Sequence, residues 1–192
     1  TNFLVKNTDA VMLVSGGGHD ALTAKECSPN LVHWTFDLWS IGKNTAEVAV
    51  KRGGDTWFFA TSDFAGGHSL AVQPLGTADY SSAILQAQAS KAKVVGIAMG
   101  GSDFVNFVKQ AGEFGLADEQ RKLVALAVFL TDVHGLGLKA AQGLTFTTSF
   151  YWDMDEGKRA FAQRFAKLHN GNYPTDVQAG VYASVLHYLK AV

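Results

Sequence analysis

The sequence predicts an α/β fold built on mainly parallel sheets, and three observations carry that prediction. Short apolar runs bounded by turn residues recur along the chain, at 10–14, 56–60, 94–98 and 123–130. Between them lie stretches whose apolar residues return every three or four positions, the period of a helix with one buried face. Strands that are apolar throughout and separated by helical segments suit parallel sheets covered on both sides. Finally, 192 residues that are 47% hydrophobic and 17% charged can bury a sizeable core, and this composition excludes a collagen, a coiled coil or a disordered chain.

Taken in order, AVMLV at 10–14 is the first strand, and the glycines of SGGG break it. TWFFA at 56–60 and VVGIA at 94–98 are strands two and three. Ser102 is placed to cap a helix in which Phe104, Phe107, Val108 and Ala111 share one face and which Gly115 ends. LVALAVFL at 123–130 is the next strand, and LTFTTSF within 143–150 is one more, after the loop at 131–143. Phe161, Phe165 and Leu168 form the apolar stripe of a helix closed by Asn170 and Gly171. A last helix runs from about Thr175 with Val177, Val181, Val185 and Leu189 on one face. No internal repeat or low-complexity linker interrupts this order.

Charge and composition exclude several classes of partner. A formal net charge of -1 with scattered Lys and Arg supplies no basic stripe for nucleic acid or for an anionic membrane surface. The longest apolar runs fall short of the roughly 18 to 20 residues that cross a bilayer, so no direct membrane insertion is expected. TNFLVKNTDA has no basic segment followed by an apolar one, so if the protein is exported, the sequence reads as the mature form or a piece of it. Cys27 stands alone, which excludes an internal disulfide framework.

The familiar catalytic signatures are missing. His19, His33, His68, His134, His169 and His187 show no HExxH or CxxC-type spacing, so no metal is expected. There is no GxSxG elbow and no phosphate-binding GxxxxGK[ST] loop. Cys27, with His33 six residues on, reads as an incidental loop cysteine rather than a nucleophile. GLGLKA, from Gly135 to Ala140, matches GxGxxA with Asp153 and Asp155 downstream, the pattern of a dinucleotide site. TDVH, however, separates its first glycine from the apolar run, so glycines that turn a short helix away from the sheet are the better reading.

Ser15, Gly16, Gly17 and Gly18 admit three readings: a phosphate cradle on helix amides, a carboxylate site on the same amides, or a tight turn. The first lacks the lysine that would support it, and the residues alone do not choose between the other two.

An ordered series of segments adds more. SGGGHDALTAKECSPNLVHWTFD, TWFFATSDFAGGHSLA, PLGTADYSSAILQAQASKAKVVGIA, FLTDVHGLGLKAAQGL, FYWD and PTDVQAGVYASVLHYLKAV together resemble a type I periplasmic solute-binding protein of an ABC importer. The resemblance is to the group that takes branched-chain amino acids, amides or aromatic acids. It implies two α/β lobes joined by three strand crossings, with 1–35 and 144–192 in the first lobe and 36–143 in the second. It further implies a periplasmic protein without catalysis or cofactor, which closes on a small carboxylate in the interlobe cleft and is read by a membrane permease. The alternatives are an α/β enzyme using a nucleotide or nicotinamide, and the ligand-sensing domain of a receptor.

The resemblance also assigns roles. Ser15, Gly16, Gly17 and Gly18 receive the solute's carboxylate. Phe64 stands where an aromatic packs on the solute, with Gly66 as the alternative alignment, and Gly100 stands at another position often held by an aromatic. Asp132 stands near the acid that receives a solute ammonium, its structural alternative being a helix cap. Trp152, beside Tyr151, walls the pocket or packs in the core. Relatives run to nearly twice this length, so both ends look cut, and the passage from GGHSLA into VQPLGT suggests a βα unit of roughly 20 residues lost near Ala71 and Val72.

Overall fold

The computed structural model describes residues 2–63, 71–117 and 121–192. The chain divides into one unit formed by residues 1–40 and 148–192 and a second formed by 41–147.

The second unit is a four-stranded, wholly parallel sheet. Its strands are β3 (Trp57–Ser62), β4 (Ala71–Gln73), β5 (Val94–Ala98) and β6 (Lys122–Ala125), in the order β4-β3-β5-β6. Because side chains alternate along a strand, Phe58, Ala60, Val95, Ile97, Leu123 and Ala125 fall on one face. That face is covered by α3 (Ser81–Ala89) and α4 (Gly101–Glu113). Ala83, Ile84 and Ala87 come from α3, and Phe104, Phe107, Val108 and Ala111 from α4, all of them buried. The opposite face presents Trp57, Val94 and Val124 to Ala49 of α2 (Leu38–Lys51). Apolar residues on both faces are the reason these strands read as continuous apolar runs. Gly96 is needed on β5 because Phe59, stacked on Trp57, crosses it so closely that a Cβ would lie 2.6 Å from the ring.

The apolar run at 123–130 proves to be two things. Pairing stops at Ala125, the chain crosses a short loop, and α5 (Leu130–Leu136) begins. The expected strand at 143–150 is reduced to one bridge between Val124 and Thr145, while Leu144 and Phe146 turn onto the core instead. Gly100, rather than Ser102, occupies the cap position of α4, and Gly115 ends that region at φ 63° as expected.

Residues 63–70 join β3 to β4, which lie side by side and parallel. Adjacent parallel strands ordinarily need about a dozen or more linking residues, usually including a helix. The helix expected from GGHSLA falls on residues 66–71. Positions 66–70 lie outside the described residues, and Ala71 belongs to strand β4.

The first unit holds α1 (Asn2–Asn7), a two-stranded parallel ladder of β1 (Met12–Val14) and β2 (Leu31–His33), α6 (Glu156–Leu168) and α7 (Asp176–Ala191). Thr175 caps α7 through Gln178 in a reciprocal pair, and Asp155 caps α6 by accepting from the Lys158 amide at 2.8 Å. Of the stripe expected on α7 only Val177 is half-buried: Val181, Val185 and Leu189 are exposed, and Gly180 and Ser184 are buried. A Cβ at Gly180 would sit 2.0 Å from Thr35 Cγ2, so the smallest residues take the inner face and let the helix approach the segment after β2 closely. Phe161 and Phe165 do pack, with Phe161 also against Tyr182 at 4.8 Å, whereas Leu168 lies in solvent.

Two buried polar groups have testable consequences. Tyr80 is fully buried against Phe107, where, among the described residues, its hydroxyl has no partner at ordinary hydrogen-bond geometry; burial first, then the charge and close approach of the Asp103 carboxylate, push its ionisation up to about 12. Removing an unpaired hydroxyl leaves no further group unsatisfied. Tyr80→Phe should therefore keep stability or raise it by up to about 1 kcal/mol in urea unfolding, and a clear loss would show that the hydroxyl is bonded in solution.

Asp176 is buried at the start of α7, and burial raises its carboxyl above the ordinary 3.8, against the lowering effect of hydrogen bonds that include the Val177 amide. The folded state thus favours the protonated acid. Its contribution is complete below pH 3.8 and is lost as pH rises through the elevated folded value. Asp176→Asn should raise the melting temperature at pH 7 and lose that advantage below about pH 4. A gain equal at both pH values would contradict the assignment.

Candidate functional site

In open α/β sheets, ligands sit beyond the carboxyl ends of the strands, at the point where strand order reverses. In the second unit the chain steps outward from β3 to β4 and then returns to place β5 on the other side of β3, so the reversal lies between β3 and β5. The carboxyl ends there lead into Asp63 and into Met99 and Gly100.

Gly100 caps α4 in an extended conformation, and a Cβ there would lie 3.4 Å from the Ala127 carbonyl oxygen. The loops after β5 and β6 are therefore neighbours at this edge. Asp132 belongs to the same edge, in the first turn of α5, where its Oδ2 accepts from the Phe129 amide at 2.9 Å. The helix cap is thus real, and it occupies one of the two carboxylate oxygens.

A residue not anticipated from the sequence completes this edge. Asp103 is buried in the first turn of α4 and accepts from the Ser62 hydroxyl at 3.0 Å and from the Gly76 amide at 3.1 Å. It ties the end of β3, the turn after β4 and the start of α4 into one piece. Its position three residues past Gly100, in a first helical turn, was the available signal. Phe64 and Gly66, the expected solute contacts after β3, lie outside the described residues.

In the first unit the SGGG loop directly follows the carboxyl end of β1. Ser15 is buried, with its hydroxyl 3.2 Å from that of Ser184. The loop's carbonyls are held by the chain running on from β2. Trp34 N donates to Val14 O at 2.9 Å, Thr35 Oγ1 to Ser15 O at 3.0 Å, His33 Nε2 to Gly17 O at 2.6 Å and Leu38 N to Gly18 O at 2.7 Å. Among the described residues, none accepts from the amides of Ser15, Gly16, Gly17 or Gly18. A loop with bound carbonyls and unspent amides is suited to an anion.

Trp152, also in this unit, packs at a tilt against Tyr173 and Tyr151, with ring centroids 4.3 and 5.6 Å apart. Of the expected set, the four loop residues and Trp152 belong to the first unit, and Gly100 and Asp132 to the second. The dinucleotide alternative fares worse. Gly135 lies inside α5, Gly137 ends that helix at φ 87°, Asp155 caps α6, and Asp153 pairs with Arg159 at 3.1 Å. Among the described residues no three His, Cys, Asp or Glu side chains are grouped as a metal would require, and no helix is long and apolar enough to cross a membrane.

A family model described as periplasmic binding protein matches residues 71–192. A periplasmic binding protein from Burkholderia mallei is 41% identical over 100% of this chain and 55% of its own, with a TM-score of 0.89. A branched-chain amino acid ABC transporter periplasmic ligand-binding protein from Burkholderia xenovorans is 35% identical, with coverage of 100% and 56% and a TM-score of 0.88. An ABC transporter solute-binding protein from Rhodopseudomonas palustris, in complex with 3,4-dihydroxybenzoic acid, shares the fold at 20% identity and a TM-score of 0.77, with coverage of 94% and 55%. No curated protein matches the sequence. The chain spans about half the length of the structures it resembles, and over that span it belongs to the periplasmic binding protein family.

Proposed function

We propose that this chain is part of the solute-binding component of an ABC importer, that it works in the periplasm, and that it binds a small carboxylate, either an amino acid or an aromatic acid. The observation that carries this reading is the SGGG loop, whose carbonyls are all but one bound while, among the described residues, nothing accepts from its amides. The Burkholderia xenovorans relative is named for branched-chain amino acids, and the Rhodopseudomonas palustris protein holds a dihydroxybenzoic acid. The chemistry common to both ligands is a carboxylate.

In this reading Ser15, Gly16, Gly17 and Gly18 take the carboxylate, Trp152 lines the same side, and Gly100 leaves room for the solute body. Phe64 or Gly66 is a further contact. Asp132 offers its second oxygen to an ammonium. The two units close on the solute because the closed state binds it more tightly, and a membrane permease reads that state. No catalytic step is involved. A receptor's sensing domain would bind in the same way and differ in what is attached to it.

A thermal-shift series with leucine, benzoate, 4-hydroxybenzoate and NAD tests the reading. A carboxylate present at about 100 times its Kd should add about 2.7 kcal/mol of stability. Stabilisation by NAD and by no carboxylate would contradict it. Asp132→Asn should weaken leucine by about tenfold or more and leave an amine-free aromatic acid within about threefold, since only leucine brings a cation. Equal losses for both would reduce Asp132 to its role as a helix cap.

We also propose that a βα unit is missing between β3 and β4, immediately before the strand that holds Ala71 and Val72. The support is the short link, residues 63–70, between adjacent parallel strands. Inserting the corresponding segment of the Burkholderia mallei relative at this point should raise the melting temperature by several degrees. An unchanged or lower value would mean that the short link is native.

A further inference from the structure

We infer that His33 and Thr35 are the positioning residues that build the carboxylate site, by turning the peptide groups of the SGGG loop so that its amides face a ligand. This rests on the carboxylate reading above but makes a separate structural claim. In a trans peptide the C=O of one residue and the N–H of the next point in opposite directions, and the described chain has no cis bonds. Each carbonyl drawn toward the strip 33–38 therefore turns the following amide away from it.

Two of the four clamp bonds come from backbone amides, those of Trp34 and Leu38, and almost any sequence could supply them. The other two depend on side chains. Thr35 Oγ1, on Ser15 O, orients the amide of Gly16, and His33 Nε2, on Gly17 O, orients the amide of Gly18. A carbonyl oxygen can only accept, so the imidazole donates here from Nε2.

Glycine at 18 lets the loop lie this close to the strip, and glycine at 17 lets it fold back over the end of β1. A Cβ on Gly17 would meet Val14 Cγ1 at 2.9 Å, and one on Gly18 would meet Leu38 and Phe36 at 3.2 Å. Ser15, Gly16, Gly17 and Gly18 would touch the solute. His33 and Thr35 would act on it only through them.

The test uses His33→Phe, which removes the donor, and His33→Gln, which keeps an N–H at similar reach. Binding of leucine and of sodium benzoate is measured by calorimetry, and the Gly18 amide 15N shift is recorded in the ligand-free protein. His33→Phe should weaken whichever carboxylate the parent binds by about tenfold and displace the Gly18 resonance. His33→Gln should restore affinity to within about threefold and return the resonance. Loss of affinity without rescue by Gln, or a Gly18 shift that ignores the Phe substitution, would overturn the inference. If the parent binds neither acid, the carboxylate reading fails, while the ligand-free Gly18 shift still decides whether His33 sets the peptide plane. If His33→Phe does not fold, Thr35→Val, read at the Gly16 amide, makes the same test, with an unmoved Gly16 resonance as the contrary result.

Discussion

The opposed ends of the peptide group govern the SGGG loop of the first unit. Residues 33–38 present four donors in a row, and they take the carbonyls of Val14, Ser15, Gly17 and Gly18. Because each carbonyl is fixed, the adjoining amide has nowhere to turn but the other way. Backbone N–H groups that no described residue accepts from are costly to bury and useful to expose. They need no charged side chain to hold an anion, which fits a chain of net charge -1 whose glycine loop lacks the lysine of a phosphate-binding loop. Small residues continue the pattern in α7, where Gly180 and Ser184 face Thr35 and Ser15 and let the helix lie close behind the loop.

The second unit meets the same need for a rigid edge by a different route. Its sheet is covered on both faces, so its strands are fixed by packing, and the loops at their carboxyl ends carry the variable chemistry. The buried Asp103 fastens three of those segments together through Ser62 and Gly76. Gln110 adds a second tie from α4, accepting from the Tyr80 amide and donating to the Ala78 carbonyl, both at 2.8 Å. Gly100 and the first turn of α5 thus rest on a framework held by polar bonds at its rim and by aromatic packing beneath.

Sequence alone reached the fold class because apolar runs such as VVGIA report burial on both faces, and the strand 94–98 appears with the expected bounds. It overran at 123–130, since hydrophobicity marks burial and does not say where a ladder stops; the Asp132 bond to Phe129 starts the helix that ends the run. It misjudged α7, where an apolar stripe at helical spacing was outbid by the close approach that Gly180 allows. The loop itself was visible as SGGG, whereas the donors that orient it were not. His33 lies 16 residues from Gly17, in a segment whose local pattern gives no hint of the contact. Asp103 was hidden for a similar reason, because its partners Ser62 and Gly76 are far away in sequence.

The central claim is that unspent amides at the end of β1 receive a carboxylate. A crystal structure of the protein grown with benzoate or leucine tests it most directly. A carboxylate oxygen is expected within about 3 Å of the Gly16 and Gly18 nitrogens, with the His33 and Thr35 bonds to the loop carbonyls intact. A carboxylate bound elsewhere, with these amides facing only water, would contradict it.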